Sequence, residues 1–138
     1  MPARDIYHEC VKNALVKDGW TVTHDPLRLS WGAKDMYVDL GAERLLTAEK
    51  QEQKIAVEVK SFIGASEIND IEDALGQYFL YRSVLTRTEP ERVLYIAINE
   101  EVFDEVFEEP LGQLLLEDYK IALLVFNSQE EVITKWLK

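Results

Sequence analysis

Two carboxylates and a lysine carry the most specific chemistry in this chain: Asp39, then Glu58-Val59-Lys60. Side chains alternate along a strand, so Glu58 and Lys60 fall on the same face of any strand through residues 55–60. With Asp39 across from them on the other arm of a hairpin, two carboxylates converge. Such a pair suits Mg²⁺, a hard cation that prefers oxygen ligands and keeps several waters; Mn²⁺ is a natural substitute. The carbonyl of Val59 is a natural third ligand. A metal held there polarises a phosphate and acidifies a bound water, while Lys60 positions or deprotonates that water or steadies developing charge. Glu43, on the same hairpin, is an alternative or additional metal ligand. A turn centred on residues 50–53 sets Arg44 or Leu45 opposite Glu58, so Asp39 reaches the site only through a bend at Gly41.

The helix that follows supplies further polar groups. Gln77 and Tyr81 are four residues apart and share a helical face, away from the apolar stripe through Leu75 and Phe79. Glutamine there suits water positioning, and tyrosine suits contact with a phosphate or base. Glu9, on the first helix, is a further acid able to complete a metal site, although a lone helical glutamate is more often simply solvated. His8 and His24 have no partner at ligand spacing, so zinc is not supported. The single cysteine, Cys10, is read as a small buried hydrophobe, with no disulfide.

These residues need elements to position them. A helix is expected over Arg4–Lys17, with Ile6, Cys10, Ala14 and Leu15 on one stripe and Gly19 as its stop. Trp20–Thr23 reads as a strand closed by Asp25-Pro26, and Leu27–Trp31 as a further extended piece. From Tyr37 a hairpin begins: Val38, Leu40, Leu45, Leu46 and Ala48 lead into the polar run Glu49–Lys54, and Ile55–Lys60 leaves it. In that second arm Ile55, Val57 and Val59 point one way and Ala56, Glu58 and Lys60 the other. Gly41 marks a bulge or bend. Ser66 caps a long helix whose buried stripe is Ile68, Ile71, Leu75, Tyr78, Phe79 and Leu85. Val93–Ile98 and Ile121–Phe126 are apolar runs typical of strands buried on both faces. Short helical pieces at Glu101–Phe107 and Leu111–Glu117 flank Pro110. Ser128–Glu131 reads as a capping box opening a last helix that buries Val132, Ile133 and Trp136. The class is α/β: a mixed central sheet with helices on both faces, in one domain spanning residues 1–138.

Charge constrains the partners. The 138 residues carry a net −11. Residues 1–62 hold nine Lys/Arg against ten Asp/Glu, whereas residues 63–138 hold six against sixteen. The acid therefore lies in the second half, and the candidate site in the nearly neutral first half. Lys and Arg supply most of the affinity for DNA, so a basic partner is expected to help if DNA is the substrate. No segment resembles a signal peptide or membrane span, and the expected location is the cytoplasm.

The combination of Asp39, Glu58-Val59-Lys60 and Gln77–Tyr81 resembles the D…ExK…QxxxY signature of the RecB-type branch of PD-(D/E)XK nucleases. Residues 38–43, 55–62 and 74–78 resemble, more closely, the XisH family of cyanobacterial fdxN-element excision controlling factors, and the resemblance runs through nearly the whole chain. It implies a restriction-endonuclease-like fold and a role in excising a DNA element during heterocyst differentiation. It also implies two partners, a site-specific recombinase and a small protein called XisI. Nucleases that cut both strands often pair, which makes a homodimer the expected assembly by analogy. Two functions follow: a Mg²⁺-dependent DNA endonuclease, or a non-catalytic regulator that works by binding a partner, since many members of such folds have lost activity.

Overall fold

A computed structural model describes residues 5–45 and 52–138 of the chain. Helix α1 (His8–Lys17) precedes strands β1 (Thr21–His24), β2 (Leu27–Trp31), β3 (Lys34–Val38), β4 (Leu40–Leu45) and β5 (Glu52–Val59). Helix α2 (Glu67–Thr88) crosses to β6 (Arg92–Asn99). A short α3 (Glu100–Val102), a π-helical turn (Phe103–Phe107) and α4 (Pro110–Tyr119) then lead to β7 (Leu123–Asn127) and β8 (Val132–Leu137). Among the described residues six strands form one mixed sheet in the order β1-β4-β5-β6-β7-β8, and β2 and β3 form a separate antiparallel pair. The sheet is parallel across β5, β6 and β7 and antiparallel elsewhere.

β5 and β6 are apolar on both faces because the sheet is covered on both. Ile55, Val57 and Val59 pack with Val11 and Leu15 of α1 on one side. Ala56 packs with Ile71, Ala74 and Tyr78 of α2 on the other, where Phe103, Val106 and Phe107 and the β2–β3 hairpin also lie. The alternation expected for this arm is thus the observed one. Ser66 caps α2 as expected, its Oγ accepting a hydrogen bond from the Asn69 N–H at 3.3 Å. Cys10 is buried and free, and among the described residues no helix is long and apolar enough to cross a membrane.

Four expectations are corrected. The last segment is a strand, not a helix: β8 pairs antiparallel with β7. The Asn127 carboxamide oxygen accepts from the N–H groups of Gln129 and Glu130 at 3.0 and 2.9 Å, which folds residues 127–131 into a turn instead of a helix cap. Val132, Ile133 and Thr134 are also β-branched and favour strand. Second, α1 begins at His8, and Ile6 is 65% exposed; the Asp5 carboxylate accepts from the Tyr7 N–H and holds residues 5–7 in a turn, while Arg4 lies outside the described residues. Third, the buried stripe of α2 is rotated toward Ala74, Tyr81 and Val84, leaving Ile68 50% exposed and Leu75 and Phe79 half-buried. Fourth, the hairpin register differs. Leu45 pairs with Glu52 and Leu40 with Val57, in step through Gly41. The register irregularity lies instead between β1 and β4, where Thr23 is the extra residue opposite Gly41 and Ala42. A Cβ at Gly41 would stand 3.1 Å from the His24 Cβ, so glycine admits that close approach. Leu46, Ala48 and Glu49–Gln51 lie outside the described residues.

Candidate active site

One step beyond the Leu40–Val57 pair, Asp39 faces Glu58. No bend is needed, because the connection is centred earlier than the sequence pattern suggests. The two acids are locked to each other's backbone. The Asp39 Oδ2 accepts the Val59 N–H at 2.7 Å, and the Glu58 Oε1 accepts the Asp39 N–H at 3.1 Å. One oxygen of each carboxyl is thereby fixed by a strand amide. Lys60 leaves β5 on the same face, its Nζ 3.6 Å from Glu58 Oε2, while its N–H continues the pairing with β6 by donating to Ala97 O at 3.0 Å.

Burial dominates the electrostatics. Glu58 is 6% exposed. Burial and then the adjacent Asp39 charge push its carboxyl up to about 8, against the opposing pull of Lys60. Asp39 is raised as well, again by burial first, although the Val59 N–H, His8, Glu58 and Lys60 all work to lower it. Two carboxyls that hydrogen-bond each other away from water cannot both ionise cheaply, so in the absence of a cation they hold a proton between them. A divalent cation would replace that proton. The donor set fits such an ion: two convergent carboxylates, each already oriented by a backbone amide.

The other expected site residues divide. Tyr81 is 7% exposed and belongs to the core instead of the outer face of α2. Burial, then the charges of Glu58 and Asp39, push its hydroxyl up to about 12. Gln77 is half-buried, and its Oε1 is a buried acceptor with no partner among the described residues. Val59 meets the pair through its N–H. Glu43 is not brought to the site. It faces Lys54, four residues along β5 from Glu58 or about 13 Å by strand rise, and its carboxylate lies 3.5 Å from the buried Arg92.

His8 is the residue the sequence pattern missed. It is 3% exposed, with Nε2 2.7 Å from Asp25 Oδ1, while Nδ1 is buried with no partner among the described residues. The Asp25 contact fixes the ring's orientation, and His8 is among the groups that work to lower Asp39. Burial works to raise Asp25, yet hydrogen bonds from Lys12 and His8 outweigh it and hold the carboxyl below its usual range. His8, exposed Glu9 and Asp25 bring ligand atoms within 4.8 Å of one another, but the Lys12 ammonium, 2.9 Å from Asp25 Oδ2, already supplies positive charge there. The seventeen-residue separation of His8 from Asp25 hid this pairing. A cavity of about 190 Å³ opens beside Lys60, lined by Asp5, Ser61–Gly64, Asp70 and Asp73.

The profile of the family described as "XisH protein" matches residues 1–134. A crystal structure of an XisH family protein from Nostoc punctiforme PCC 73102 is 38% identical, with a TM-score of 0.88, covering 97% of this chain and 100% of that one. A crystal structure of an fdxN element excision controlling factor protein from Anabaena variabilis is 40% identical, also with a TM-score of 0.88, covering 98% and 100%. No curated protein matches.

Proposed function

The chain belongs to the XisH family, and on that premise we propose that it is a divalent-metal-dependent DNA endonuclease of the PD-(D/E)XK type, acting in the excision of a DNA element. The observation that carries this reading is the reciprocal clamp between Asp39 and Glu58, with Lys60 beside Glu58. Mg²⁺ or Mn²⁺ bound to the two carboxylates would supply the Lewis acidity and an acidified water for phosphodiester hydrolysis. The chain's own groups do the rest. Lys60 holds the attacking water or steadies charge on the phosphate, and Gln77 offers its unpartnered Oε1 to orient a water. The assay is nicking and cleavage of supercoiled plasmid and branched DNA with each ion. Activity lost in Glu58→Gln and Lys60→Ala supports the reading; activity that survives both substitutions contradicts it.

The charge distribution favours a second reading, in which the chain controls excision by binding a partner such as an XisI-like protein or the recombinase. Its second half holds sixteen Asp/Glu against six Lys/Arg, a surface that repels phosphate and attracts a basic protein. Co-expression with a candidate partner should then yield a complex that the Glu58 and Lys60 substitutions leave intact.

A further inference from the structure

Far along the chain from the carboxylates, α3, the π-helical turn and α4 present a face of unusual composition. Residues 100–119 contain eight Asp/Glu and no Lys or Arg, and seven of those acids are exposed. On the same segment Leu111, Leu114 and Tyr119 are 43%, 50% and 45% exposed. Leu111 and Leu114 are one turn apart on α4 and so share a side of it. The Tyr119 ring stands 5.3 Å from Phe79, half-buried on α2, which extends the apolar surface onto the neighbouring helix. Single exposed leucines are ordinary, but adjoining ones among seven exposed acids mark an interaction surface; at its Tyr119 end Arg82, which lies over the Phe79 ring and donates to the Tyr119 carbonyl, and exposed Lys120 bring positive charge.

The face is also rigid. Gly112 lies so close to the preceding turn that a Cβ there would stand 2.2 Å from the Val106 carbonyl oxygen and 2.4 Å from the Phe107 Cα. Gln113 ties α4 to the same turn through a 2.7 Å hydrogen bond from Nε2 to the Phe107 carbonyl. A surface held in place before binding loses little entropy when a partner arrives.

We infer that this face docks a basic amphipathic helix of a partner protein, apolar residues against Leu111, Leu114 and Tyr119 and Lys/Arg flanks against the segment's carboxylates. Charge selects this occupant. DNA and anionic membranes are repelled by seven exposed acids. A second copy would set the same acidic face against itself, since a two-fold contact pairs identical patches. Only a cationic helix with an apolar side meets both the leucines and the acids.

The inference deepens the partner-binding reading, and the two fail separately. The probe is a labelled peptide of roughly 20 residues with leucines at i, i+4 spacing and Lys/Arg flanks, compared with a twin of the same charge carrying serine for leucine. Fluorescence anisotropy should show the leucine peptide binding about tenfold or more tightly than its twin, and weakening as salt rises. Hydrogen exchange should show protection within 100–119. The double variant Leu111→Ser/Leu114→Ser should lose about tenfold or more in affinity, whereas Leu80→Ser, exposed elsewhere on α2, should lose none. Equal binding of the two peptides, protection confined to another surface, or indifference to the double variant would overturn the assignment. So would self-association that the double variant abolishes, which would make a second copy the occupant. If the peptide fails, the regulatory reading must find another surface; if co-expressed partners fail to co-purify, that reading falls while a peptide mapped to this face stands.

Discussion

Replacing Glu58 by glutamine should stabilise the metal-free protein at alkaline pH, although it removes a residue assigned to the site. The Glu58 carboxyl sits at about 8 in the fold against an ordinary 4.5. Between those values the native state binds a proton that the unfolded chain has released, so stability must fall as pH rises. It is fully present below about 4.5 and lost by about 8. A gap of about 3.5, at 1.36 kcal/mol each, sets a ceiling of about 5 kcal/mol. Asp39, also raised, pushes in the same direction. Glutamine keeps an oxygen for the Asp39 N–H, can donate to the Asp39 carboxylate and never ionises. At pH 8 without metal, Glu58→Gln should therefore melt above the parent by about 2–5 kcal/mol, or roughly 6–15 °C for a chain of this size. Near pH 4.5 the two should nearly coincide. Mn²⁺ should close most of that gap at pH 8, because ion at about a hundred times its Kd adds about 2.7 kcal/mol to the parent and little to the variant. Calorimetry across this pH range, with and without Mn²⁺, reads all of it. A parent whose melting temperature climbs from pH 5 to 8 relative to the variant would refute the reasoning, as would a variant that Mn²⁺ stabilises equally.

Lys60→Ala should lower cleavage by about 10²-fold or more and change stability by less than about 1 kcal/mol, since its ion pair with Glu58 is long and its side chain 23% exposed; plasmid nicking and urea titration separate the two effects. Arg92→Met should cost about 2–3 kcal/mol in urea denaturation, because it strips the buried Ile55 carbonyl of its donor at 2.9 Å and leaves Glu43 and Glu89 without their cation. Gly112→Ala should cost about 3 kcal/mol through its clash with backbone at Val106 and Phe107; a change under about 0.5 kcal/mol would show that α4 shifts freely.

Local patterns were legible where one physical cause acts alone. The alternation of Ile55, Val57 and Val59 against Ala56 and Glu58 follows from strand geometry, and the two cores receive them as that geometry requires. The Ser66 cap and the apolar runs of β6 and β7 were equally plain. What needed a third dimension was lost. Which residue faces Glu58 depends on where the β4–β5 connection turns, and a shift of that point moves Asp39 into the site and Glu43 out of it. In the sequence pattern Tyr81 shares the outer face of Gln77, whereas the buried stripe of α2 runs through Ala74, Tyr78, Tyr81 and Val84. His8 seemed unpartnered because Asp25 is distant in sequence. The final capping box misled because Asn127, just before it, captures the amides that a helix would have used.

The central claim is that Asp39 and Glu58 together hold a divalent ion. Crystals soaked in Mn²⁺ near pH 8, with diffraction collected at the manganese absorption edge, test it most directly. The account predicts a single strong anomalous peak shared by the two carboxylates and absent from Glu58→Gln. A peak confined to His8, Glu9 and Asp25, or no peak between Asp39 and Glu58, would contradict it.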